Sequence, residues 1–162
     1  MTEAQTRTTR RKPTVVRTGE PWSYINLWRE PPLSRITLIK DGIPAVRAKR
    51  LFNDLDISQA LFLKALNMSQ ATVNKKAARN ETLPTDQGER VLGVARLIGQ
   101  LQAIVEESGD PDGFNTAAWI SRWLSEPLPA LGGARPIELL DTMEGQNLVS
   151  RTLAKIQNGA YA

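Results

Sequence analysis

Between Ile43 and Asn158 apolar residues return every three or four positions, the spacing that lays them along one face of an α-helix. Pro44 suits an opening helical position. The stretch behind it carries Ala45, Ala48, Leu51, Phe52 and Leu55, with Arg47, Lys49 and Arg50 largely on the other face. Ser58 is placed to cap a second helix bearing Leu61, Phe62, Ala65 and Leu66. The four residues Leu66-Asn67-Met68-Ser69 then separate it from a third helix, capped by Ser69, whose apolar side is Ala71, Val73 and Ala77. A fourth helix follows Thr85-Asp86, with Asp86 and Glu89 spaced as a capping pair. Its single stripe of Val91, Leu92, Ala95, Ile98, Leu101, Ile104 and Val105 runs to Glu107.

Ser108 to Gly113 reads as a polar turn. Asn115 is placed to cap a fifth helix, with Phe114 positioned to staple onto Trp119; this helix buries Trp119, Ile120, Trp123 and Leu124 before Pro127 stops it. After a Pro/Gly turn from Leu128 to Ala134, Pro136 opens a short sixth helix. The last helix, Gln146 to Asn158, shows Leu148, Val149, Leu153 and Ile156, and Gly159 ends it. Ahead of Ile43 the pattern fades. Residues 1–20 are polar, rich in Thr and Arg, and predict a disordered basic arm. Residues 21–42 form a poorly defined extension: Trp22, Tyr24, Ile25, Leu27 and Trp28 are apolar enough to dock on something, the Pro31-Pro32 pair ends whatever they form, and Ile36 to Ile39 fit a short strand or an extended link. The expected fold is all-α, with a helix-turn-helix region at 43–107 and a small helical domain at 114–162.

Composition changes this picture chiefly by exclusion. The 162 residues contain no Cys and no His. That removes disulfides, thiolate nucleophiles, Cys- or His-ligated metals and any Ser-His-Asp triad. Neither a metal nor a cofactor is expected. The carboxylate pairs Asp54/Asp56, Glu106/Glu107 and Asp110/Asp112 fall at helix ends or in turns without a partner base, and read as solvated charges rather than catalysts. No apolar run approaches the ~20 residues of a membrane span, and no apolar core follows the basic first residues, so a cytoplasmic protein with no membrane partner is expected. The net charge of +4 conceals a division: +3 over residues 1–20, +6 over 21–80 and −5 over 81–162. The basic first half suits a phosphate backbone, and the acidic second half a different partner.

The helix–turn–helix at 58–79 is where the basic half could meet DNA. Such a unit needs a packed first helix, a tight turn and a second helix whose exposed side chains reach base edges. Gln70, Thr72 and Asn74 can bond bases, and Lys75, Lys76 and Arg79 can hold phosphates, with Ser69 at the helix start. Asn67 occupies the turn position most often filled by Gly, and Asn tolerates the left-handed backbone required there. The same pattern also fits a helical hairpin with a solvated polar face.

The stretch Trp123-Leu124-Ser125-Glu126-Pro127-Leu128-Pro129-Ala130-Leu131-Gly132-Gly133-Ala134-Arg135-Pro136-Ile137-Glu138-Leu139-Leu140 reads physically as a structural corner. With Gly145, Val149, Leu153, Ile156 and the ending Gly159-Ala160-Tyr161-Ala162, it also resembles the C-terminal domain of the Xre/ParS/MbcA antitoxins, closely over 114–162 and more loosely over the Xre-like helix-turn-helix region at 43–107. The resemblance implies a type II antitoxin that is not an enzyme. Its partner would be a RES-domain toxin encoded next to it, one that consumes NAD or transfers ADP-ribose from it. It further implies that the C-terminal helix and tail cover the toxin's NAD cleft, with Arg135, Gln146, Arg151, Lys155, Tyr161 and Ala162 as toxin contacts. Operator DNA and self-association as a homodimer or higher oligomer complete the implied partners. The rival reading is a free-standing helix-turn-helix repressor whose C-terminal domain only dimerises.

Overall fold

The structure is a computed structural model and describes residues 22–159. Among these, eight α-helices follow one another: α1 (Tyr24–Arg29), α2 (Pro32–Asp41), α3 (Ala45–Asp54), α4 (Gln59–Ala65), α5 (Gln70–Ala78), α6 (Thr85–Glu107), α7 (Thr116–Ser125) and α8 (Met143–Gln157), with two 3₁₀ turns, Pro129–Leu131 and Pro136–Leu139, between the last two. The disordered arm expected at 1–20 lies outside the described residues, as do Tyr161 and Ala162.

Side chains start several helices by accepting orphan backbone N–H groups. Ser58 accepts from the Leu61 N–H at 3.3 Å, Ser69 from Thr72 at 3.4 Å and Asn115 from Ala118 at 3.0 Å. Phe114 meets Trp119 with ring centroids 6.4 Å apart, where a staple was expected. Four details differ from the sequence expectation. Ile36 to Ile39 are neither strand nor link but the middle of α2, because Pro32 takes the first helical position and needs no N–H there. Asp86 does not cap α6: Pro84 holds the cap position, and Asp86, inside the first turn, reaches Arg90 at 3.1 Å instead. The helix opened by Pro136 is a single 3₁₀ turn. The last helix begins at Met143 rather than Gln146, because Thr142 accepts the Gly145 N–H at 3.0 Å and starts it one turn earlier.

The core is organised around α6, a 23-residue helix. Val91, Leu92, Val94, Ala95, Leu97, Ile98 and Leu101 are all buried, so its apolar surface goes well beyond one stripe. α1, α2, α7 and α8 all pack against it. Glycine makes two of these approaches possible. A Cβ on Gly99 would lie 1.9 Å from the Tyr24 carbonyl oxygen of α1, and a Cβ on Gly93 would lie 1.6 Å from Gln146 Oε1 of α8. Gly costs about 1 kcal/mol against Ala in a helix interior, a loss offset here by backbone-close contact. α8 is held by amide clasps. Gln146 Nε2 donates to the Arg90 carbonyl at 3.0 Å and the Leu140 carbonyl at 2.9 Å. Gln100 Nε2 donates to the Ser150 carbonyl at 3.0 Å, and Ser150 Oγ donates back to Gln100 Oε1 at 2.8 Å.

α3, α4 and α5 form a compact unit on one side. Phe52 and Phe62 meet edge to face at 5.2 Å and 70°, over fully buried Leu51, Leu66 and Val73. The chain enters and leaves this unit side by side, since the Leu83 N–H donates to the Ile43 carbonyl at 2.8 Å and the Ala45 N–H to the Glu81 carbonyl at 3.0 Å. α7 returns to the same unit through Ser121, whose Oγ accepts the Asp56 N–H at 2.9 Å.

Two stability outcomes follow from the α6 contacts. Gly99→Ala should lower the free energy of unfolding by about 2 kcal/mol, read from the urea midpoint, because a backbone carbonyl cannot step aside as a flexible side chain can. Gln146→Leu should cost about 1–3 kcal/mol, since it leaves the Arg90 and Leu140 carbonyls without that donor in a buried setting. A midpoint unchanged by either substitution would contradict the corresponding contact.

Candidate nucleic-acid and partner interfaces

The turn between α4 and α5 is built as its residues require. Leu66 and Met68 are buried, while Asn67 adopts φ 52°, the left-handed region that Asn enters more readily than most residues. The Asn67 N–H donates to the Lys64 carbonyl at 3.0 Å and the Met68 N–H to the Leu63 carbonyl at 2.9 Å, which closes the end of α4. α5 then buries only Val73 and Ala77. Gln70, Asn74, Lys75 and Arg79 are exposed, and Thr72 and Lys76 are half-buried. All the polar residues expected to meet DNA thus belong to α5 or its two ends. Three of them have work inside the chain. Ser69 caps the helix, Gln70 Nε2 donates to Gln59 Oε1 at 3.4 Å, and Lys76 lies 3.5 Å from Glu81. That pair is partly exposed and contributes little to stability.

On the opposite side of the molecule's sequence, α8 divides sharply. Val149 and Leu153 are fully buried, and Thr152, also buried, turns its hydroxyl back to the Leu148 carbonyl at 2.9 Å. Leu148, Arg151 and Lys155 face out, and Leu148 is one of the few large apolar side chains left 39 % exposed. Arg151 lies 3.8 Å from Glu144, a loose exposed pair. Arg135 is exposed at the start of the second 3₁₀ turn, where its backbone N–H donates to Glu138 Oε2 at 3.1 Å. Gln146 is the correction among the expected toxin contacts. It is buried at 6 % exposure with its amide committed to α6 and to Leu140, so it positions α8 rather than facing a partner. Sequence reasoning assigned it outward because its position one turn before Val149 and Ser150 says nothing about Gly93, the small residue that admits it.

Trp119 and Trp123 stack at 6.0 Å and 16°. Trp123 is 8 % exposed and belongs to the core, as the helical spacing indicated. Two arginine–tryptophan contacts join residues far apart in the sequence, and the first lies between α1 and α6. Arg96 lies 5.7 Å over the Trp28 ring, and Arg47, itself buried, lies 5.5 Å over Trp22. Tertiary folding alone brings these pairs together, and it buries Arg47, which the helical spacing placed with Lys49 and Arg50 on the face away from the apolar residues. Among the described residues no group of His, Cys, Asp or Glu could hold a metal ion, and no helix is long and apolar enough to cross a membrane.

The chain is similar to known proteins along most of its length. Residues 34–96 match the Antitoxin Xre-like helix-turn-helix domain, and residues 100–159 match the Antitoxin Xre/MbcA/ParS C-terminal toxin-binding domain. A protein of Sphingobium sp. (strain YBL2), named a Prs ADP-ribosylating antitoxin, is 55% identical over 142 residues, which are 88% of this chain and 89% of that protein. An Antitoxin Xre of Yersinia enterocolitica is 24% identical over 142 residues, 84% of this chain and 90% of its own. An Antitoxin Xre of Pseudomonas putida is 26% identical over 88 residues, 54% of this chain and 50% of its own. The first match contains the turn at Asn67 and the second contains the outward face of α8, and with them this chain belongs to the Xre/MbcA/ParS family, as an antitoxin of a toxin–antitoxin system with a helix-turn-helix domain.

Proposed function

We propose that this antitoxin is a cytoplasmic, non-enzymatic inhibitor of a RES-domain toxin encoded beside it, that it silences the toxin by covering its NAD cleft, and that it represses its own operon. The observation that carries the first part is the division of α8. A helix anchored by Val149 and Leu153 presents Leu148, Arg151 and Lys155 from a rigid base, which limits the ordering cost of binding. Tyr161 and Ala162, which follow this helix in the sequence, complete the proposed set of toxin contacts. Arg135 joins it as a rim contact. The relative named a Prs ADP-ribosylating antitoxin favours a toxin that transfers ADP-ribose over one that only hydrolyses NAD.

Removing α8 would expose the core, so surface substitutions are the informative test. Leu148→Glu combined with Arg151→Glu should abolish rescue of cells expressing the cognate toxin, while the helical circular dichroism and melting temperature stay at the parent values. Full rescue by a folded double variant would overturn the occlusion mechanism and return the C-terminal domain to dimerisation alone.

Operator binding is supported by the exposed polar face of α5 and by the +6 charge of residues 21–80. Reading two half-sites requires two copies, which is the use we assign to self-association. Lys75→Ala should weaken operator binding across all sequences and reduce the slope of log K against log salt by about 1. Gln70→Ala or Asn74→Ala should instead alter which bases are preferred. Band shifts insensitive to all three substitutions would exclude α5 as the reading helix.

A further inference from the structure

A cleft of about 220 Å3 opens where α2, α6 and α8 meet, and no residue of α5 lines it. Its walls include Trp28, Ile36, Ile39 and Leu92, and Asn147 and Ser150 stand along it. Two guanidinium groups line the same space, Arg35 from α2 and Arg96 from α6, with Glu89 as the carboxylate among the lining residues. Arg35 is held by donating to the carbonyl oxygens of Trp28, at 3.5 Å, and of Glu30. Arg96 lies 5.7 Å over the Trp28 ring, and its Nε is buried without a hydrogen-bond acceptor. Burial lowers the pKa of both groups; the charge of Arg35 lowers that of Arg96 further, and Glu30 partly restores that of Arg35.

This is an expensive arrangement for a structural element. Desolvating a charge is unfavourable, and placing a second like charge beside it adds to the cost. An anion would relieve both penalties, and planar guanidinium groups match a carboxylate in two-point geometry. Counting Glu89, the lining carries a net +1, which one negative charge neutralises and a phosphate dianion exceeds.

We propose that this cleft binds an organic monocarboxylate, with the carboxylate on Arg35 and Arg96 and the apolar part against Trp28, Ile36 and Ile39. The carboxylate can belong to a free small acid or to a Glu or Asp side chain of a partner protein. Ile36, 45% exposed at the cleft, lies on the same helix as Arg35.

The test uses the full chain with benzoate as probe and benzamide as its neutral counterpart. Benzoate should bind saturably by calorimetry, shift the Arg96 Nε–H resonance and raise the melting temperature, and benzamide should do none of these. Arg96→Gln should weaken benzoate binding by about tenfold or more, yet leave the unliganded protein as stable as the parent or more so, because a repulsion is removed. Arg35→Gln supplies the same loss of binding should Arg96→Gln fail to fold. Equal binding of benzamide, or undiminished benzoate binding in the folded variants, would overturn the proposal. The source is decided by the capped tripeptide leucyl-glutamyl-leucine: tighter binding than benzoate assigns the site to a partner's acidic side chain, and weaker binding to a free acid.

Discussion

The need to bury α6 on nearly every side governs the architecture. A helix with so many buried positions cannot be stable against one layer, and a lone helix has no partner for its flanks. Each neighbouring element therefore takes a sector: α1 approaches at Gly99, α8 at Gly93, and the strand-like entry at Ile43 lies against Gly88. The glycines let backbone or amide groups come nearer than any Cβ would allow, and the closeness sets their register. Once those sectors are filled, what remains exposed on each peripheral helix is fixed by geometry rather than by that helix's own sequence.

That dependence links the core to function. The outward side of α8 is outward because Gln146 and Ser150 are tied to Arg90 and Gln100 on α6, which removes rotation of α8 about its axis. A rotation of one residue, roughly 100° in an α-helix, would trade Leu148 and Arg151 for Val149 and Thr152. The polar clasps thus contribute specificity of orientation as well as stability, because a buried amide tolerates far fewer placements than an aliphatic side chain of its size. α5 in turn leaves its polar side chains in solvent because Val73 and Ala77 suffice to anchor it, with α3 as its main packing partner.

Much of this was legible in the chain. Leu66 to Ser69 marked the turn between α4 and α5, Asn115 marked the start of α7, and of the Trp119/Trp123 pair Trp123 is in the core as read while Trp119 is half-buried against it. These signals are local: a cap, a turn or a three-to-four-residue period reports on the backbone of its own neighbourhood. The misreadings share a cause as well. Asp86 fits a capping pattern, but Pro84 sets the helix start. Ile36 to Ile39 carry branched residues that suit a strand, while α2 is fixed by Pro32 and by docking on α6.

By itself the sequence determined an all-α chain, the place of the helix-turn-helix, the basic and acidic division and the absence of Cys or His chemistry, because periodicity, capping residues and charge are properties of adjacent positions. The tertiary structure decided which way each amphipathic surface points when more than one side is apolar. It put Gln146 inside, set Arg96 over Trp28 and brought Arg35 and Arg96 into one cleft. Such pairings depend on distances between residues far apart in the chain, which are settled only when the helices compete for the surface of α6.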